Sequence, residues 1–348
     1  MIRPPVLLER AAARAFLRLP SPLLRRMAGP AVKSPEGYEL DVQIQALLWL
    51  MKATGEPPTE QGTLAVARER MDRSGSTLDV HDVRDVVTVD RQIGGATGPL
   101  RARLYVPRGV ADPSPGLIYF HGGGFVLGSL DSHDGLCRAL ASRARLVVVS
   151  VDYRLAPEHP FPAPAEDGVA ATRWVLTHAT GLGLDPSAVA VGGDSAGGNL
   201  SAVVSQTMRD EALRPAFQLL IYPATDLTRS LPSHKLFREG FLLPESTIDW
   251  FLDAYAPERS THTDPRASPL FAADVARVPQ AMVVTAGFDP LRDEGDAYAA
   301  KLRAAGVPVE HLCVPSMVHG FMSMAGAVRE SDKTLERIVR SLRTALRR

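Results

Sequence analysis

The apolar positions change their period along the chain. Near the start, Leu7/Leu8, Ala11/Ala12 and Ala15/Phe16 recur at a spacing of four, and Ile44, Leu47, Leu48 and Met51 stand at i, i+3, i+4 and i+7. That period belongs to amphipathic helices. Pro20, Pro22, Pro30 and Pro35 punctuate this region. Gly55-Glu56-Pro57-Pro58 closes the second helix, and a third helical stretch runs to about Arg73. From about Val83 the period falls to two. Val87, Val89, Leu104 and Val106 alternate with polar residues, which predicts antiparallel strands joined through Gly94-Gly95 and Gly98-Pro99. Beyond them, short apolar runs alternate with helical segments. The runs are Leu117–Phe120, Leu146–Val151, Val189–Gly192, Phe217–Tyr222, Met282–Ala286 and Val309–Val314. The helical segments lie near 133–144, 165–180, 197–210, 292–305 and 325–346. Such alternation predicts a mostly parallel sheet with helices on both faces. Residues 225–270, with Pro232, Pro244, Pro257, Pro265 and Pro269, break the rhythm and predict an insertion between two strands. No internal repeat or low-complexity segment is present.

Composition narrows the classes. The 348 residues are 45% hydrophobic and 22% charged, with 39 basic and 39 acidic side chains. A net charge of zero argues against nucleic acid as a partner. No apolar run approaches the roughly 18–20 residues of a membrane span. Glu9, Arg10, Arg14 and Arg18 interrupt any signal-peptide core, so the expected location is the cytoplasm. Residues 1–33 carry seven positive charges against Glu9, a local net of +6. The first helix therefore lies on the rest of the protein, offers its basic face to a membrane surface or anionic partner, or serves as a targeting peptide. Cys137 and Cys313 read as small buried thiols rather than a bridge.

One motif carries a nucleophile. Gly193-Asp194-Ser195-Ala196-Gly197 follows an apolar strand and opens a helical pattern, the context that G-x-S-x-G requires. A strand turning sharply into a helix leaves no room for bulk two residues either side of the serine. Ser195 is lifted clear of the sheet at a helix N-terminus, where developing negative charge is favoured. His121-Gly122-Gly123-Gly124-Phe125 follows the Leu117–Phe120 strand. Glycines there let backbone N–H groups approach an oxyanion, which assigns the donors to Gly123 and Gly124, with a third from Ala196. No P-loop lysine or dinucleotide fingerprint accompanies these glycines. His121 reads as a loop-positioning residue.

An acid and a base follow in the order Ser, Asp, His. The Met282–Ala286 strand leads into Gly287-Phe288-Asp289-Pro290-Leu291-Arg292-Asp293-Glu294, where Asp289 is favoured as the acid. Asp293 is the runner-up and reads better as a first-turn helix residue. His319 follows the last strand and precedes Gly320, so it is free to reach Ser195. No cluster has metal-ligand spacing, and neither a metal nor a cofactor is expected.

His121–Phe125, Asp152-Tyr153-Arg154-Leu155-Ala156-Pro157-Glu158, Gly193–Gly198, Asp289–Asp293 and His319-Gly320-Phe321 together resemble the hormone-sensitive lipase family of α/β-hydrolases, in its bacterial G-D-S-A-G esterase branch. The resemblance spans about Val83 to Arg348. It implies an α/β-hydrolase fold with a mostly parallel sheet, the triad Ser195, Asp289 and His319, and oxyanion donors at Gly123, Gly124 and Ala196. It also implies a helical cap from residues 1–82 and the 225–270 insertion on a catalytic domain of residues 83–348. The Asp152–Pro157 loop would support the glycine loop, and several relatives dimerise, so a homodimer is expected. The activity implied is hydrolysis of small-molecule carboxylic esters of short to medium acyl chain. An amidase or peptidase with the same triad, or a non-catalytic receptor on this scaffold, are the alternatives.

Overall fold

The computed structural model describes residues 6–55 and 57–346. Arg3, Glu56 and the side chain of Leu7, used above, lie outside the described residues. Four helices come first: α1 (Val6–Leu17), α2 (Ser21–Ala28), α3 (Val42–Thr54) and α4 (Leu64–Leu78). The sheet and its helices follow as β1 (Val86–Gly94), β2 (Pro99–Pro107), β3 (Ser114–Phe120), α5 (Asp134–Ala144), β4 (Val147–Asp152), α6 (Ala163–Thr177), β5 (Leu184–Asp194), α7 (Ala196–Thr207) and β6 (Phe217–Ile221). The insertion contributes α8 (Pro232–Leu236) and α9 (Glu245–Tyr255). The chain then runs through β7 (Gln280–Phe288), α10 (Arg292–Ala304), β8 (Val309–Val318) and α11 (Arg329–Leu346).

These strands form one sheet in the order β1-β2-β4-β3-β5-β6-β7-β8. β2 runs antiparallel to both β1 and β4; β4, β3 and β5 through β8 are mutually parallel. Helices cover both faces, since parallel crossovers put them there. On one face α5 and α11 pack with the N-terminal helices through Leu17, Ile44, Leu136, Leu140, Leu335 and Ile338. On the other, α6 and α7 pack through Val175, Leu200 and Val204. The expected mostly parallel sheet is what the chain folds into, and residues 222–279 separate β6 from β7 without adding a strand. The sequence reading differs at α4, which runs on past Arg73 to Leu78. Gly75 makes this possible, because a side chain there would meet the Ser132 backbone.

The N-terminal helices dock rather than trail. Leu17 and Leu24 are buried, and each such side chain contributes roughly 1.5–3 kcal/mol. Gln43 joins three segments, donating to Leu17 O (2.7 Å) and Ala327 O (3.3 Å) and accepting from Arg329 N (3.0 Å). The supposed basic face of α1 is partly spent inside the molecule. Arg10 donates to Ser76 O at 2.8 Å and Arg14 to Asp79 O at 3.1 Å, satisfying carbonyls at the end of α4, while Glu9 pairs with Arg73 at 2.6 Å. Asp79 continues the link, accepting from Val80 N and from Leu136 N at the start of α5, both at 2.7 Å. Burial outweighs those bonds and pushes its carboxyl up to about 7. Among the described residues no helix is long and apolar enough to cross a membrane. Cys137 and Cys313 are both free; Cys137 is buried, whereas Cys313 is half-buried.

Candidate active site

Ser195 stands between β5 and α7 with φ 54° and ψ −117°, a backbone conformation that costs a non-glycine residue about 1–3 kcal/mol. Its surroundings hold it there. Ser195 N donates to Ile221 O at 2.8 Å, and Asn199 N returns to Ser195 O at 3.0 Å. The flanking glycines are required by contact: a Cβ on Gly193 or Gly197 would fall on the carbonyl of Phe120. The hydroxyl projects from the helix N-terminus, half-buried, at the floor of a cavity.

His319 follows directly on β8. Its Nε2 lies 2.9 Å from Ser195 Oγ and its Nδ1 lies 2.8 Å from Asp289 Oδ2. Asp289 follows directly on β7 and is fully buried; its second oxygen accepts from Leu291 N at 2.8 Å. Three residues from three strand ends thus meet at one edge of the sheet. Asp293 is elsewhere, pairing with Arg292 and accepting from Ser233 N. The tilted ring of Tyr222 packs against His319, with centroids 4.7 Å apart.

The glycine loop lies beside the serine. Gly123 and Gly124 have φ of 119° and 61°, values that turn their N–H groups out of the usual backbone course. Neither N–H has a protein acceptor among the described residues. The loop is braced from below. Gly122 N and the Tyr119 hydroxyl donate to Asp194 Oδ1 at 3.0 and 2.7 Å, and the Tyr153 hydroxyl donates to His121 O at 2.8 Å. His121 is fully buried and stacked on Tyr153 (4.4 Å); burial drives its imidazole down to about 4, so it is neutral and serves the loop.

Sequence reasoning missed two buried acid–histidine pairs. His133, at the start of α5, has Nε2 3.2 Å from Asp194 Oδ1. Burial opposes charge on both partners, but each outweighs it for the other, so His133 is lifted above its ordinary value and Asp194 is held below its own. His234, in the insertion, pairs with Glu294 at 2.7 Å. Asp194 and Glu294 stood inside recognised motifs, but nothing local in the sequence marks their distant partners.

The cavity measures about 490 Å³. Leu48 and Met51 of α3, Ala67 and Met71 of α4, and Ile248, Phe251 and Leu252 of α9 give it apolar walls. Phe251 comes so close over the glycine loop that a Cβ on Gly124 would strike its ring. Among the described residues no three metal-ligating side chains gather.

Known proteins resemble this chain over most of its length. Residues 117–323 match a family model for the α/β hydrolase fold. The carboxylic ester hydrolase LipN of Mycobacterium tuberculosis is 40% identical over 338 residues, covering 95% of this chain and 89% of that one. Ethyl acetate hydrolase of Pseudomonas putida is 40% identical, covering 71% and 79%. Among solved structures, LAE6, an α/β hydrolase enzyme from the metagenome of Lake Arreo, superposes with a TM-score of 0.84 at 43% identity, covering 88% of this chain and 98% of that one. The chain belongs to the α/β-hydrolase family, in the hormone-sensitive-lipase-like group.

Proposed function

We propose that the protein is a carboxylic ester hydrolase in which Ser195 is the nucleophile, His319 the general base and Asp289 the residue that orients it. The observation that carries this is His319 bridging Ser195 and Asp289 at 2.9 and 2.8 Å beside the outward N–H groups of Gly123 and Gly124. His319 Nε2 takes the Ser195 proton as Oγ attacks the ester carbonyl. Asp289 holds the tautomer with Nδ1–H directed at itself and stabilises the imidazolium that forms. The oxyanion accepts from Gly123, Gly124 and Ala196 N–H, and Ala196 adds the positive end of α7. The imidazolium then protonates the leaving alcohol. Water enters, gives its proton to His319, and releases the acid from the acyl-enzyme.

The cavity's size and apolar walls support short to medium acyl chains. Residues 1–82 and 225–270 act as the cap on a catalytic domain of residues 83–348, and a homodimer, implied by the family resemblance, belongs to the same proposal. A panel of p-nitrophenyl esters from acetate to laurate, with matched anilides, tests the reaction class; faster anilide than ester turnover would make it an amidase. Light scattering reads the dimer. Deleting residues 1–40 should lower the melting temperature and shift chain-length preference; an unchanged profile would remove the cap from substrate selection.

A further inference from the structure

The cavity is lined by charged groups that the hydrolysis just described does not use, and among the described residues all but one are matched. Asp194 is met by His133, the Tyr119 hydroxyl and Gly122 N, and Glu294 by His234, Thr225 N and Asp226 N. Asp226 accepts from Thr228 and Ser230, and Arg229 pairs with Asp249 at 2.6 Å. Arg70 is the exception. Ala67, Arg70, Met71 and Ser74, at i, i+3, i+4 and i+7, form the stripe of α4 that lines the cavity. No acidic side chain pairs with Arg70. Its one partner is Gln61 O, 3.5 Å from Nη1, at the limit of a hydrogen bond. Nε is closed off from solvent and donates to nothing. Nη2 has no partner either, and burial does not close it off. Glu60, beside Gln61 in the chain, is taken up by Thr247 Oγ at 2.8 Å. A guanidinium keeps its proton at any working pH, so Arg70 presents a fixed, unmatched positive charge to the cavity.

We infer that Arg70 recognises a carboxylate on the substrate, remote from the scissile ester, and so favours esters that carry a free acid group over neutral esters of the same shape. This rests on the ester-hydrolase reading above. A carboxylate suits the site on three counts. Its two oxygens match the two Nη groups, which present paired N–H donors at the end of the guanidinium. Its single negative charge equals the one positive charge left unmatched, whereas a phosphate monoester would bring about two. It would also set charge-assisted bonds in place of the long Gln61 contact. Arg70 is half-buried, so solvent screens such a pair less than it would at an open surface.

Two ester pairs, each matching a carboxylate with an isopropyl group of the same shape, test the inference in a pH-stat assay at neutral pH. Monoethyl glutarate against ethyl 5-methylhexanoate places the carboxylate in the acyl half; 4-(butyryloxy)butanoate against 4-methylpentyl butyrate places it in the alcohol half. In at least one pair, the ratio of kcat/KM for the carboxylate over the neutral ester should be about tenfold higher in the wild type than in Arg70→Gln or Arg70→Met, chiefly through KM. Arg70→Lys keeps the charge without the paired donors and should retain part of the preference. The pair that responds assigns the carboxylate to the acyl or the alcohol side. A readout independent of these variants is the nitrogen-15 spectrum of Ser195→Ala protein. The Arg70 Nε–H, shut off from solvent, should give an exchange-protected signal, and monoethyl glutarate or 4-(butyryloxy)butanoate, but not its neutral partner, should shift it. Unchanged ratios in both pairs, or no selective shift with either carboxylate ester, would overturn the inference and leave Arg70 a solvated cation at the cavity wall. If none of the four esters is hydrolysed and a fluorophosphonate leaves Ser195 unlabelled, the hydrolase reading itself fails.

Discussion

Two Ser–His–Asp triplets meet at one cavity, and the proposed reaction uses only one of them. In the first, His319 joins Ser195 and Asp289 at 2.9 and 2.8 Å. In the second, His133 joins Ser132 Oγ at 2.8 Å and Asp194 at 3.2 Å. Distances do not separate them; the proton inventory does. The Ser132 hydroxyl donates to Ser129 O at 2.9 Å and accepts from Ser129 N at 2.8 Å. With that proton directed at Ser129 O, His133 donates to Ser132 as well as to Asp194, and a ring with both protons in use cannot act as a base. Ser195 Oγ has only His319 as a partner among the described residues, so its proton can go to the ring. Ser132 also lies against α4 at Gly75, whereas Ser195 sits at a helix N-terminus beside Gly123 and Gly124. A nucleophile is thus defined by what its serine is free to give up and by where the oxyanion would go.

Removing the serines should break the symmetry most sharply. Ser195→Ala should lower kcat by about 10⁴-fold or more, and a fluorophosphonate should label wild-type Ser195 alone. Ser132→Ala should stay within about threefold of wild type and cost about 1 kcal/mol of stability. Label on Ser132, or equal losses from the two substitutions, would erase the distinction. The acids give the next largest effect. Asp289→Asn should cost about 10⁴-fold in kcat, by analogy with the same substitution in a serine protease, through a wrong histidine tautomer. Asp293→Asn should cost less than about tenfold, since Asp293 serves Arg292 and Ser233. Reversed ranks at equal stability would move the acid to Asp293.

The Ser195–His319–Asp289 triplet was legible in the sequence and the Ser132–His133–Asp194 triplet was not. Ser195, Gly123 and Gly124 sit in motifs whose steric demands are local, because the elbow and the close backbone approach must be satisfied by adjacent glycines. Asp289 and His319 could be placed because each directly follows an apolar strand, and strand ends converge at one edge of a parallel sheet. His133 follows no strand. It meets Asp194 only because β3, β5 and the start of α5 pack together, a pairing of residues 61 apart with no periodicity to betray it. The same holds for His234 and Glu294, 60 residues apart. The internal partners of the α1 arginines were hidden for a related reason. Their charge is visible in the sequence, but the α4 carbonyls that Arg10 and Arg14 serve lie 65 or more residues away.

The silent pair should declare itself in stability rather than rate. His133 is lifted above its ordinary 6.5, so its contribution is present below that value and is lost as pH rises through the raised one. Asp194 is held below its ordinary 3.8, so its contribution is present above that value and is lost as pH falls through the lowered one. The pair therefore stabilises most fully between about pH 4 and 6.5. His133→Gln should cost about 3 kcal/mol there, the low end for an orphaned buried charge, because Tyr119 and Gly122 still donate to Asp194. The gap in melting temperature from wild type should narrow as pH rises past the imidazole range. A gap constant from pH 4 to 9 would mean that His133 is neutral, which would reopen Ser132 as a candidate.

The smallest effect concerns what keeps the silent triplet closed. Gly75 lies inside α4, where alanine would ordinarily stabilise the helix by about 1 kcal/mol. Here the added Cβ would stand 2.9 Å from the Ser132 carbonyl carbon, and nearer still to its oxygen. Both partners are backbone, so no side chain can swing aside; either α4 or the 129–133 loop must shift. Overpacking of this kind costs typically about 1–3 kcal/mol, enough to cancel the helical gain and exceed it. Gly75→Ala should therefore lower the melting temperature modestly, while Ser195 is labelled at close to the wild-type rate, because the Ser195–His319–Asp289 triplet rests on β5, β7 and β8 rather than on α4. If the substitution instead raises the melting temperature, α4 has slack above Ser132, and the silence of the second triplet then depends on its hydrogen bonding alone.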